Sequence, residues 1–133
     1  GATMPKRVLV AEENWPAGEI LVRFLRHAGH VAVAVRDGMM AWELLNQGEA
    51  FDLVMSDYDM PGLTGLDLLR RVRGDERTAK TPFVLMSGRV TVSSRDQTGL
   101  EEVCAKLGAV FVAKPFFDFE ELIERMLGAT VGN

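Results

Sequence analysis

Cysteine is nearly absent from this 133-residue chain. The single one, Cys104, excludes an internal disulfide and fits a reducing compartment; its place among apolar helical positions reads as a buried small hydrophobe. Histidine is scarce too. His27 and His30 have no metal-ligand partners near them in sequence and read as surface or helix-end residues. No apolar run approaches the roughly 20 residues of a membrane-spanning helix, and no signal peptide is visible. Excess positive charge is also missing: 15 Lys and Arg face 19 Asp and Glu, a net charge of −4. Such a chain has no general attraction for nucleic acid or anionic lipid. The expectation is a cytoplasmic protein that contacts neither.

Hydrophobic residues make up 47% and charged residues 26%, the composition of a globular protein, and the length suits one domain. The opening "GAT" reads as a tag remnant (1–3), followed by a domain over 4–128 and a flexible tail over 129–133. No repeat, low-complexity segment or internal linker interrupts it. Apolar runs of strand length occur at 7–11, 30–35, 51–57, 82–88 and 109–114. Between them come helical spacings: Ile20, Leu21, Phe24, Leu25 and Ala28; the stretch 37–48; Leu66, Leu69 and Val72; Leu100, Val103, Cys104 and Leu107; and 118–127 with Asp118 as N-cap. Five strands alternating with five helices predict an α/β fold, a parallel sheet covered on both faces. Ligands of such sheets bind outside the carboxyl ends of the strands.

Those ends carry the chemistry. The first strand stops at Glu12 and Glu13, the third at Asp57, the fourth at Ser87-Gly88 and the fifth at Lys114-Pro115. Crowded carboxylates must be neutralised by protons, by a lysine or by a metal. With a hydroxyl and an ammonium beside them, they suit a hard divalent cation and a transferred phosphoryl group. A carboxylate can itself accept that group as an aspartyl phosphate. Each residue also has a plainer reading. Asp57 alone could be a loop acid, Ser87 a turn hydroxyl, Lys114 a surface charge, and Glu12-Glu13 a soluble edge. Trp15 and Trp42 read as packing residues, with Trp15 near enough to the site to report on it by fluorescence. "RRVR" (70–73) reads as the solvated face of a helix, its charges complementing the helix dipole.

The segments "DLVMSDYDMPGLTGLDLLRRVR" (52–73) and "VFVAKPF" (110–116), with "VLVAEEN" and "FVLMSG" at matching distances, resemble the receiver domain of bacterial two-component response regulators. The resemblance spans Met4 to Leu127. It implies a flavodoxin-like doubly wound sheet of order 2-1-3-4-5, and a signalling domain rather than an enzyme. It implies Asp57 as phosphoacceptor, with Ser87 and Phe111 as switch residues (Phe111 also reads as an ordinary core aromatic) and Lys114 as the active-site lysine. Mg²⁺ would be held by Glu12, Glu13, Asp57 and the backbone carbonyl of Asp59, with Glu13 the closer ligand of the pair and Glu12 the outer one. The implied partners are a histidine kinase or histidine phosphotransfer protein upstream, and a protein target or output domain downstream of a helix 4–strand 5–helix 5 face. The Lys114-Pro115 bond is expected to be cis.

Two departures stand out. The acidic pair is Glu-Glu, where the family has two Asp or a Glu-Asp mixture; the longer side chains predict weaker Mg²⁺ binding. Ser87 and Lys114 lie 27 positions apart, a few more than usual. The extra length falls in the polar segment 89–99, which predicts an irregular start to the fourth helix. One rival function is a pseudo-receiver that binds partners without phosphorylation. A flavin module on the same fold lacks its phosphate-binding loop.

Overall fold

The structure is a computed structural model, and the residues described are 4–88, 94–114 and 118–128. Strands covered on both faces must be apolar throughout. β3 (Leu53–Asp57) and β4 (Phe83–Ser87) are buried at every position, and β1 (Arg7–Ala11) is buried from Val8 onward. β2 (Val31–Val35) and β5 (Val110–Ala113) are more open, because they form the two edges. All pairings are parallel, in the order β2-β1-β3-β4-β5. The chain leaves β1 on one side for β2 and on the other for β3, so a crevice opens at the carboxyl ends of β1 and β3.

The helices start where side chains can satisfy their first amide groups. α1 (Trp15–His27) is capped by Asn14, whose Oδ1 accepts from the Ala17 amide at 3.1 Å, and Pro16 presets its first turn. This carries the helix one turn ahead of its apolar positions. Asp37 caps α2 (Gly38–Asn46), and Thr64 and Asp67 form a reciprocal capping box on α3 (Gly65–Gly74). α4 spans Ser94–Lys106; residues 89–93 lie outside the described residues, and with them the expected irregular start of this helix. Asp118 caps α5 (Phe119–Leu127), as expected.

Strand alternation splits the core between the faces of the sheet. Leu9, Val54 and Leu85 meet Leu45, Leu68 and Cys104 of α2, α3 and α4. Val10, Met55 and Met86 meet Val22, Leu25 and Ile123 of α1 and α5. Leu68 is fully buried, so truncating it to Ala costs about 2–5 kcal/mol.

Two expectations are corrected at the amino edge of the sheet. His30 is not a surface residue: it is 6% exposed, and its Nδ1 accepts from the Lys6 amide at 3.1 Å. It sits one residue before β2, and its own amide donates to the Leu25 carbonyl at 3.0 Å. Arg73 does not belong to a solvated helix face. Its guanidinium donates to the carbonyls of Leu107 and Thr81 at 2.6 Å and to those of Ala79 and Gly108 at 3.2 Å. It thereby ties the end of α3 to the segments entering β4 and β5.

Candidate functional site

Glu12, Asp57 and Lys114 meet at the crevice. Glu12 directly follows β1; its amide donates to the Val35 carbonyl at 3.0 Å, and its side chain is 2% exposed. Both carboxylate oxygens are engaged. Oε1 accepts from the Asn14 amide at 3.1 Å, and Oε2 accepts from Lys114 Nζ at 2.9 Å. The same Nζ lies 3.3 Å from Oδ1 of Asp57, the last residue of β3, which is also buried. Lys114 is positioned through its backbone, since its amide donates to the Ser87 carbonyl at 2.8 Å. Ser87 ends β4 and is 1% exposed. Asp59 is half-buried two residues beyond Asp57. Phe111, opposite Leu85 on β5, packs partly buried against the α2–α4 side of the core. Glu13 is exposed, and its side chain makes no hydrogen bond or ion pair among the described residues. Pro115 lies outside the described residues, and with it the geometry of the Lys114-Pro115 bond.

Two buried carboxylates share one ammonium, and the electrostatics register the deficit. Burial, then the charge of Glu12, push the Asp57 carboxyl up to about 6, against the opposing pull of Lys114. Burial lowers Lys114, but its hydrogen bond to Glu12 and the charges of Asp57 and Glu12 outweigh this and hold it above its ordinary value. At neutral pH the site is an ammonium between two acids, short of one positive charge.

Sequence reasoning missed the glycine that makes room for this arrangement. A Cβ on Gly65 would strike the Asp57 carbonyl oxygen and Leu85 Cδ1, and the Gly65 amide donates to the Tyr58 carbonyl at 2.9 Å. The start of α3 therefore lies directly against the end of β3. The signal was a Thr-Gly pair at a helix start just after the acid, where only glycine permits so close an approach.

The donor chemistry also bears on a metal. Among the described residues no three Asp, Glu, His or Cys side chains are gathered into a ready-made metal centre. Mg²⁺ asks for less: one or two carboxylates, with waters and phosphate oxygens completing its shell. Asp57, the uncommitted Glu13 and a main-chain carbonyl belong to that class of hard oxygen donor, and the charge deficit at Asp57 favours a further cation. The residues fit the ion.

Comparisons with known proteins point to one family. The sequence profile of the response regulator receiver domain matches residues 8–127. The chemotaxis protein CheY of Pseudomonas aeruginosa is 33% identical over 129 residues, covering 92% of this chain and 99% of that protein. A 3',5'-cyclic-nucleotide phosphodiesterase of Dictyostelium discoideum is 37% identical over 83 residues, 62% of this chain but 10% of that much longer protein. Among solved structures, the receiver domain of a sensor histidine kinase from Pseudomonas aeruginosa PAO1 superposes with a TM-score of 0.72 at 25% identity, over 94% of this chain and 99% of that one. That structure holds a magnesium ion coordinated in its active site cleft. The flavodoxin-like order of the sheet and the family match together make this chain a member of the response regulator receiver domain family of two-component systems.

Proposed function

We propose that Asp57 accepts a phosphoryl group from a phosphohistidine on a histidine kinase or histidine phosphotransfer protein. The observation that carries this reading is the ammonium of Lys114 held 3.3 Å from a buried Asp57 carboxylate, with Glu12 holding it from the other side. The Asp57 oxygen attacks phosphorus as the histidine N–P bond breaks; an acyl phosphate forms, and the imidazole leaves with a proton in place of the phosphoryl group. Lys114 turns its remaining donor to an arriving phosphoryl oxygen, and Ser87 takes another with its hydroxyl. Asp57, Glu13 and the backbone carbonyl of Asp59 would hold Mg²⁺, while Glu12 stays committed to Lys114. When bound, the ion supplies charge neutralisation for the phosphoryl oxygens.

An apolar groove of about 360 Å³, lined by Ile20, Leu21, Phe24 and Phe119, runs up to Glu12 and Lys114. It suits a helix of the phosphodonor protein. The charge on Asp57 then biases the face made by α4, β5 and α5 through Ser87 and Phe111, which alters the binding of a downstream protein. The module signals in the cytoplasm rather than turning over a substrate.

Incubation with acetyl phosphate and Mg²⁺ should add one phosphoryl group by intact mass. Asp57→Asn should remove the label without unfolding the protein, and Glu13→Gln should raise the Mg²⁺ needed. Unlabelled native protein would instead favour a receiver that binds partners without phosphorylation.

A further inference from the structure

On the flank away from β3, strand β2 and helix α1 enclose a second groove, of about 490 Å³, lined by Trp15, Glu19, Val22, Arg23 and Arg26 of the helix and by Val33 and Ala34 of the strand. The five helix residues share one stripe at helical spacing. β2 is an edge of the sheet. The Val31 amide donates to Lys6 and the Val35 carbonyl accepts from Glu12, so the odd-numbered residues of β2 face β1. In a parallel pair the alternate residues then turn their backbone groups outward. Ala32 and Ala34 therefore present amides and carbonyls to the groove. Arg26 Nη2 covers the Ala32 carbonyl at 3.3 Å.

Edge strands are usually protected by charge, proline or a bulge. "VAVAV" carries no charge and no proline, its register with β1 runs unbroken, and Val31 is 50% exposed. The charges stand beside the strand instead. Arg23 and Arg26 line the groove, and the Arg36 guanidinium stacks 5.4 Å from the centre of the half-exposed Trp15 ring. None of the three arginines makes an ion pair among the described residues, and Glu19 is the one acid in the lining. In a chain of net charge −4, this flank is locally cationic.

We propose that this groove takes an extended acidic segment of a partner protein as a sixth strand beside β2. The incoming backbone pairs with the amide and carbonyl of Ala34 and displaces Arg26 from the Ala32 carbonyl. Arg26, once released, meets a carboxylate of the incoming strand beside Arg23 and Arg36. Period-two alternation places acids on the α1 side and apolar residues on the other. Main-chain pairing provides affinity and the arginines provide selectivity, the division of labour of strand-addition sites. The surface is separate from Asp57, so the proposal does not depend on phosphorylation.

The test uses the whole chain with Trp42→Phe, leaving Trp15 as the reporter, titrated with a short fluorescein-labelled peptide alternating Glu and Val. The peptide should bind and perturb Trp15 emission, whereas an alternating Lys-Val peptide should not bind. Arg23→Glu with Arg26→Glu, its fold verified by circular dichroism, should weaken binding by about tenfold or more, the scale of one lost charged pair. A Glu-Val peptide of the same charge with a central proline should lose a similar factor, because it cannot complete the strand. Equal binding of the proline peptide, binding of the Lys-Val peptide, or no binding of the Glu-Val peptide would each overturn the proposal. So would equal affinity for the double variant.

Discussion

The two ends of this sheet treat charge in opposite ways. At the amino edge the guanidinium groups of Arg7 and Arg73 are both partnered. The Arg7 guanidinium meets Glu49 Oε2 and the Ala50 carbonyl, both at 3.0 Å, while its backbone exchanges hydrogen bonds with Asp52. Arg73 spans four carbonyls, and the Thr78 hydroxyl donates to the Val72 carbonyl at 2.8 Å. At the carboxyl edge two buried acids contend for Lys114, and Asp57 is left with a raised proton affinity. One end is built to be satisfied and the other to await a ligand. Electrostatic shortfall is thus concentrated at the crevice proposed for phosphoryl transfer.

The contrast breaks most visibly at Arg73. Arg73→Ala strands four carbonyls from two segments, and charge-assisted hydrogen bonds are the stronger kind, so a loss of about 2–4 kcal/mol is expected. Urea unfolding measures it. Arg73→Lys should recover little, because a single ammonium cannot span the same fork.

At the other edge a substitution should stabilise. The Asp57 carboxyl is raised from 3.8 to about 6 in the folded state. An acid with a raised folded pKa binds more protons folded than unfolded, so metal-free stability falls as pH rises from about 4 to about 6 and stays low above. Asp57→Asn removes that penalty. It should gain about 1–3 kcal/mol at pH 7 in chelator-treated protein and nothing at pH 4. A variant less stable than the native protein at pH 7 would mean the crowding at Asp57 is already compensated.

Gly65→Ala sharpens the comparison by moving the site without touching its charges. The added methyl presses on the Asp57 carbonyl and Leu85, an overpacking of about 1–3 kcal/mol. Phosphorylation by acetyl phosphate should slow as Asp57 shifts against Lys114. Unchanged labelling would show that the end of β3 yields freely.

The smallest expected effect lies at His30, the exception at the amino edge. Its Nδ1 accepts from Lys6, and its Nε2 is buried without a hydrogen-bond partner among the described residues. Burial, then Lys6, hold the imidazole below its ordinary value, with Asp52 opposing. A base with a lowered folded pKa binds fewer protons folded than unfolded, so stability drops as pH falls through about 6.5. His30→Gln should flatten that slope in thermal melts followed from pH 8 to pH 5.

The order of elements, the two-sided burial of β3 and β4 and the caps at Asp118 and Thr64 follow from hydrophobic period and short-range hydrogen bonding, both properties of neighbours in the chain. The acids, hydroxyl and lysine at the strand ends could be named because a parallel sheet brings strand ends together. The Glu12-Glu13 pair reads as an inner and an outer cation ligand, but the engagement of Glu12 with Lys114 was not legible. Their side chains are identical and differ only in position, and only the path of the chain out of β1 buries the first against Lys114 and exposes the second. Arg73 and His30 read as surface residues for the same reason. Their partners are carbonyls and an amide brought from distant segments, and backbone groups are identical in every sequence. The sequence by itself determined which residues could be buried and which chemistry the strand ends carry, through local period and residue type. The tertiary structure alone decided which acid holds the lysine, which arginine is a clamp and which edge of the sheet stays open, because each depends on distances between residues far apart in the chain.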